Sequence, residues 1–403
     1  MRLRFIFLTI LSVILFLSCG KEQYVASVTD LKLVRMEPSS GYPGAIVKVL
    51  GRNFSPKASE NKVKVGGKSA KVLDANKWDL TIVLPDLTAG SYDVEVDAPA
   101  GRAGGLSFLY KAKPEHIYIT SIVAGAIGNK DNIDGIGTEA RLSMPEGLIP
   151  DSHGGFYILQ RGTFAIRYMD MYRKITTLPI SGAALNFPWQ GAVSGSGEIY
   201  FCNKGANQIL KMNSSGVVSA LAGFELSNPM GVKFDSEGFG YLANRNKNGG
   251  EIVVFKNDVV VNKISVPNPT CIAFDSKGRG LIGTNNAGYI FMLEKDGSVH
   301  KVAGDGNIKG TNGDGTPGNL LETSTIGFVN GIWCAKDGSV YFCDVSGLCV
   351  RRLKPDASGD YSKGSLETVS SGFYPSDIAV TEDCSKIYVT SAPTHTIRLI
   401  EVI

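Results

Sequence analysis

The sequence predicts an all-β protein, an immunoglobulin-like sandwich followed by a six-bladed β-propeller. Three observations carry that reading. First, a phrase recurs down the last two thirds of the chain with a period of roughly 40 residues, the length of one propeller blade. It reads Pro229-Met230-Gly231-Val232-Lys233-Phe234-Asp235 in one copy and Pro269-Thr270-Cys271-Ile272-Ala273-Phe274-Asp275 in the next, with further copies at Pro145, Pro188, Asn330 and Pro375. Second, the segment before the repeats is filled with short runs that are apolar at every other position, the period of a strand with one buried face. Third, 48 glycines and frequent β-branched and aromatic residues suit many short strands joined by tight turns.

At 403 residues the chain has room for two or three domains. A net charge of +3, with 20% charged residues, offers no field for nucleic acid or an anionic membrane surface. Residues 1–19 stand apart. Arg2 and Arg4 precede an apolar run from Phe5 to Leu17, then Ser18-Cys19-Gly20. A basic start, an apolar core and small residues at the break make an export signal. Leu17-Ser18-Cys19 resembles a bacterial lipobox, which implies that Cys19 is lipidated and becomes the mature N-terminus. Lys21-Glu22 is loosely similar to the charged export tag of surface lipoproteins in Bacteroidetes. The expected location is therefore the outer membrane, by a lipid anchor, facing the surface or the periplasm.

Residues 20–30 read as a polar linker. From 31 to 111 the alternation is plain in Ile46–Leu50, Lys62–Val65, Leu80–Leu84 and Tyr92–Val96, each run bounded by Gly, Pro or Asn. About seven short strands in some 80 residues suggest a sandwich. Pro38-Ser39-Ser40-Gly41, Gly51-Arg52-Asn53-Phe54, Val65-Gly66-Gly67, Leu84-Pro85 and Gly90-Ser91-Tyr92 resemble the IPT/TIG immunoglobulin-like family over the whole unit. The resemblance implies a spacer or interaction module and says little about chemistry.

Lys111-Ala112-Lys113-Pro114 is the hinge to the repeats, which run over 117–403. The typical repeat has a first strand that leads to a turn around Asp-x-x-Gly, and a second strand that carries Tyr at its centre and a polar residue at its end, as in Tyr200 and Asn203, Tyr241 and Asn244, Tyr341 and Asp344. The pattern is similar to the NHL repeat family. The sixth copy supplies three strands up to Ile403. Ile119–Gly125 reads like a fourth strand, so residues 117–124 are expected to complete the last blade and close the ring, which removes open sheet edges.

Two Asp/Asn/Gly-rich insertions, Gly125–Met144 and Gly304–Phe328, break the period on one face of the disc. They read either as turns or as a calcium site, although the ligand order of an EF-hand is absent. The residues ending the second strands, Gln160, Asn203, Asn244, Thr284, Asp344 and Ser391, are all polar. They read as caps that hold the backbone of a turn or as a polar mouth for a ligand. Six cysteines follow Cys19. Four lie in predicted strands, and Cys343 with Cys349 is the only tempting pair.

The same face gathers Phe187, Trp189, Phe373 and Tyr374 from the segments that enter first strands. Arg161, Phe164, Lys204, Arg245 and His395 come from the turns after second strands. Exposed aromatics beside cations and amides are what sugar recognition requires; aromatics equally fill the gaps between blades. Of the four histidines only His395 falls on this face, so a multi-histidine metal centre has nothing to build from, and no cofactor is expected. Similar IPT/TIG–NHL lipoproteins are associated with capture of complex carbohydrates. The expected function is thus non-catalytic binding of a polysaccharide or oligosaccharide at Trp189, Phe187, Tyr374, Phe373, Arg161, Asn203, Lys204, Arg245, Asp344 and His395. A scaffold for an envelope protein and a propeller lyase or hydrolase stand as alternatives.

Overall fold

A computed structural model describes residues 30–111, 116–246, 249–307 and 313–403. The export signal with Cys19, most of the linker and hinge, and Gly310-Thr311-Asn312 of the second insertion lie outside the described residues. The chain divides into two compact units, residues 1–115 and 116–403.

In the first unit the alternating runs become strands whose buried positions fall at every second residue, as in Lys62–Val65 and Gly90–Ala98. Strand Lys68–Ala75 is shared between two sheets. Its start pairs with Lys62–Val65 and its end with Asp79–Val83. The inward residues, among them Val49, Val65, Leu80, Ile82, Val94 and Phe108, form one core. Strands this short are stable only when such a face is buried.

The second unit is a six-bladed propeller. Blades 1 to 5 each run through four consecutive antiparallel strands, with inner strands Pro145–Pro150, Pro188–Val193, Pro229–Phe234, Pro269–Phe274 and Val329–Cys334. Blade 6 takes Ile378–Val380, Lys386–Ser391 and Thr396–Val402 from the end of the chain and Tyr118–Gly125 from before blade 1. The pairing of Thr396–Val402 with Tyr118–Gly125 runs from Thr396 opposite Gly125 to Val402 opposite Tyr118.

The repeating phrase has a local cause at each part. The aspartate of Asp-x-x-Gly caps its own turn: Asp235 accepts the N–H groups of Glu237 and Phe239, and Asp275 those of Lys277 and Arg279. Gly238, at φ +79°, occupies a left-handed position that a side chain would strain. At the head of the inner strand the register slips by one or more residues in blades 1 to 5. Such a bulge bends the strand and re-aims its side chains. The blades then meet closely at the axis. A Cβ at Gly147 would stand 2.1 Å from the Trp189 carbonyl oxygen, so the inner strands of blades 1 and 2 need glycine there.

In blades 1, 2, 3 and 5 the residue that ends the second strand reaches back to the loop ahead of the inner strand, whereas Thr284 in blade 4 donates to Tyr289 O and Ser391 in blade 6 accepts from Thr394. Gln160 accepts the N–H of Ser143, Asn203 that of Asn186, Asn244 that of Ser227 and Asp344 that of Gly327. All six ring residues are buried. Their recurrence comes from holding the backbone, which corrects the assignment of Asn203 and Asp344 to a ligand site.

The insertions are organised in the same economical way. Arg167, fully buried in the third strand of blade 1, donates to Asn132 Oδ1, Ile133 O, Arg141 O and Asp134 Oδ1. Arg351 in blade 5 donates to Gly313 O, Thr325 O, Asp314 Oδ1 and Asp344 Oδ2. The carboxylates of Asp134 and Asp314, the natural cation ligands of these loops, thus face a guanidinium from the propeller itself. Among the described residues no group of three or more His, Cys, Asp or Glu side chains gathers as a metal site. The six described cysteines are free.

Candidate functional site

The face on which second strands end is built by one repeated backbone bond. The residue after the second strand donates its N–H to the residue that precedes the Pro-x-Gly phrase: Arg161 to Met144, Lys204 to Phe187, Arg245 to Asn228, Asn285 to Asn268 and Val345 to Phe328. These five residues therefore occupy equivalent positions around the mouth of the central shaft. Blades 1, 2 and 3 place cations there; blades 4 and 5 place an amide and an aliphatic side chain.

Trp189 lies within this arc but is only 8% exposed and belongs to the propeller core. The Lys204 ammonium stands 3.6 Å from the ring centroid, and the Arg161 guanidinium lies 5.6 Å from it. This corrects its expected role as an open stacking surface, because the ring is roofed by the cations that were to flank it. Its indole N–H is buried without a hydrogen-bond partner. Phe373 is likewise buried, beneath the Arg398 guanidinium at 4.5 Å, and offers a ligand no face. His395 accepts the Met144 N–H through Nδ1 and so ties blade 6 to the first insertion.

The open aromatic surface comes from two other rings. Phe164 and Phe187 are 42% and 41% exposed and meet edge to face at 5.2 Å. Both hold a left-handed backbone, φ 50°, which is uncommon and costly for a bulky residue. Asn207 occupies the same turn position in blade 2, and Asn228 and Asn268 hold the Phe187 position in blades 3 and 4. In blades 1 and 2 aromatic surface replaces the residue the turn prefers.

Glu146, between Pro145 and Gly147, was not among the residues expected here. The equivalent position in the other copies holds Trp189, Met230, Thr270, Asn330 or Ser376, so its acidity was the available signal. Glu146 is 2% exposed; Arg161 Nε donates to its Oε1 at 2.7 Å, while Oε2 has no partner. Burial pushes its carboxyl up to about 7 against the opposing pull of Arg161 and Lys204. Burial also lowers Lys204 to about 8, with Arg245 and Arg161 adding to the shift and Glu146 opposing it. Tyr374, half-buried, lies close enough to Glu146 and Arg161 to feel both charges. Below the mouth the shaft is plugged. Gln190 Nε2 donates across it to Asn330 O and, more weakly, to Ser376 O, and the void beneath, about 10 Å³, has room for a single water.

The roomier clefts lie elsewhere. One of about 400 Å³ between blades 3 and 4 is lined by Asp235, Tyr241, Phe274 and Lys295. Asp235 already spends its carboxylate on the turn and on Tyr241. The mouth is the place where unused polar groups converge, and it is preferred on that ground.

Glu146 also makes stability depend on pH. Its folded value lies above the usual carboxylate range, so between about pH 4.5 and 7 the native state keeps a proton that the unfolded chain has released. Stability from this group is therefore full at low pH and falls as pH rises through that window. Glu146→Gln keeps an acceptor for Arg161 and is expected to remove a decline on the order of 1–3 kcal/mol between pH 5 and 8. Urea denaturation of both proteins at the two pH values measures it, and equal declines would place the charge elsewhere.

The fold and site define a two-unit protein, an immunoglobulin-like domain and a six-bladed propeller with a cationic, aromatic mouth. Residues 31–110 match the IPT/TIG domain family, so the first unit is an IPT/TIG domain. Both units together are similar to an auxiliary nutrient binding protein from Bacteroides thetaiotaomicron, with 16% identity and a TM-score of 0.58 over 93% of this chain and 98% of that one. A protein of the same description from Bacteroides ovatus gives 16% identity and 0.57, again over 93% and 98%. A gluconolactonase from Xanthomonas campestris matches with 12% identity and 0.51, over 72% of this chain and 99% of its own. At these identities the likeness is one of fold. A search of curated proteins by sequence finds no match.

Proposed function

We propose that the chain is an exported lipoprotein, anchored through Cys19 at the outer membrane, that captures a glycan nutrient at the mouth of its propeller without transforming it. The observation that carries this reading is the exposed Phe164–Phe187 pair beside half-buried Arg161 and Lys204. A sugar ring has an apolar face that stacks on such a pair and hydroxyls that bond to the groups at its edge. The two Bacteroides structures of similar fold, described as nutrient binding proteins, support the class of function.

Phe164→Asn with Phe187→Asn tests the site with little risk to the fold, because other blades carry asparagine at these turn positions. A soluble form, residues 20–403 without the lipidated Cys19, is run by affinity electrophoresis through a polysaccharide panel. Wild type is expected to be retarded on at least one polymer and the double variant to lose tenfold or more in affinity, about 1.4 kcal/mol. No retardation of wild type on any polymer overturns the proposal. The anchor is tested by palmitate labelling in cells, which Cys19→Ser is expected to abolish; labelling that persists in the variant removes the lipobox.

One observation favours a second reading. Glu146 near 7 and Lys204 near 8 place an acid and a base of near-neutral pKa in one mouth, the condition general acid–base catalysis requires. Release of reducing ends from the retained polymer would make the protein an enzyme, and retention of an unchanged polymer leaves it a binder.

A further inference from the structure

Resting on the capture reading, we infer that the glycan is acidic: the mouth holds a sugar whose anionic group, a carboxylate or a sulfate ester, lies against Lys204 and Arg245 while a neighbouring hydroxyl donates to Glu146. Three features of the mouth lead there independently of the aromatic pair.

The first is the placing of charge. Arg161, Lys204 and Arg245 hold one equivalent position in three adjacent blades, whereas Asn285 and Val345 hold it in the next two. The field is therefore one-sided, an arc over blades 1 to 3 rather than a symmetric ring. Nothing in the repeat's backbone requires a cation, since the bond made there is a main-chain N–H to a carbonyl in every case.

The second is how little of that charge is spent. Arg161 is paired with Glu146. Among the described residues neither Lys204 nor Arg245 forms an ion pair, and Lys204 has only the Trp189 ring beneath it. One carboxylate against three cations leaves a positive excess in a half-buried site, where attraction is less screened than at an open surface. Burying an unpaired cation is costly, and an anion supplied by the ligand removes that cost.

The third is the unused oxygen. Glu146 is more than nine-tenths buried, and its Oε2 has no partner. A site meant only for a bare anion would not keep a carboxylate at its centre. A sugar that presents an acid group on one carbon and a hydroxyl on the next satisfies both, the acid on the cations and the hydroxyl on Oε2. Burial raises the Glu146 carboxyl toward neutrality, which weakens its repulsion of such a ligand.

Three gels decide it, cast with polygalacturonate, galactan sulfate or unmodified galactan, each run with wild type and with the Lys204→Met, Arg245→Gln double variant. Thermal unfolding within a few degrees of wild type establishes that the variant is folded. Wild type is expected to bind one acidic polymer at least tenfold more tightly than galactan, and the preference is expected to vanish in the variant. Retardation by polygalacturonate assigns a carboxylate; retardation by galactan sulfate assigns a sulfate ester. Equal retardation by galactan and the acidic polymers overturns this inference and leaves capture standing. An acid preference that survives in the folded variant overturns the assignment to Lys204 and Arg245. Absence of retardation here and across the wider panel overturns capture and this inference with it.

Discussion

Arg351→Met is expected to cost about 3–5 kcal/mol of stability, the usual penalty for breaking a buried ion pair from one side. Arg351 and Asp344 are both fully buried, with Nη1 and Oδ2 3.2 Å apart. Methionine fills much of the same volume but leaves the Asp344 carboxylate in the interior without its cation. Burial already raises the carboxyl of Asp344, and Arg351 opposes that rise. The variant's folded value therefore moves further up, and its defect is smaller at low pH, where Asp344 is neutral in both states. The insertion ahead of blade 5 loses its clamp at Gly313, Asp314 and Thr325. The repeats supply the control. Asn203 and Asn244 accept the same loop N–H that Asp344 accepts in blade 5. Asp344→Asn combined with Arg351→Met removes the stranded charge while keeping that bond, and it is expected to recover at least half of the loss. Urea denaturation of the single and double variants measures this. A double variant no more stable than the single one would show that the damage lies in the loop rather than in the buried charge.

The six-bladed fold was legible because its signals are local. An aspartate that caps its own turn, a glycine with positive φ and a polar residue that ends a strand each fulfil their role within some twenty residues. Each recurs in several blades, although Ser194, Ala335 and Thr381 stand at the aspartate position in blades 2, 5 and 6 and Cys384 at the glycine position in blade 6. The mouth was legible only as a set of names. Arg161, Lys204 and Arg245 were placed on one face by their common position after the second strand, and the structure brings them together with Tyr374 around the same shaft. Which side chains stand open there was not legible. Trp189 differs from its counterparts in the other blades, and that variability reads as a sign of ligand contact. It in fact marks how blade 2 fills the head of the shaft. Asn203 and Asp344 sit at strand ends, where sequence does not tell a side chain that bonds the preceding loop from one that faces a ligand. Glu146 was not singled out, because its position in the phrase holds a different residue type in every copy and sequence does not show what each one meets. Its significance arises from contacts with residues on the next turn and the next blade, and no local pattern encodes those.

Trp189→Ala is expected to destabilise the propeller by about 3–5 kcal/mol, the range for truncating a buried aromatic. The indole belongs to a core that includes Cys202, Met230 and Val232, and its ring is the floor on which Lys204 rests. Alanine leaves a cavity at the junction of blades 2 and 3 and lets the Lys204 ammonium move. Loss of glycan retention in this variant would therefore report a collapsed mouth and not a missing stacking contact. Trp189→Phe separates the two effects. Phenylalanine keeps an apolar ring under Lys204, and the indole N–H it removes makes no hydrogen bond, so the cost is expected to stay within about 1.5 kcal/mol. Retention should survive in Trp189→Phe and fail in Trp189→Ala in proportion to the stability each loses, with urea denaturation read beside affinity electrophoresis. If Trp189→Ala instead unfolds within 1 kcal/mol of wild type and still loses the glycan, the ring is not part of the core. It then belongs with Phe164 and Phe187 on the stacking surface, and the arc of cations becomes a lid that lifts from it rather than a fixed wall of the site.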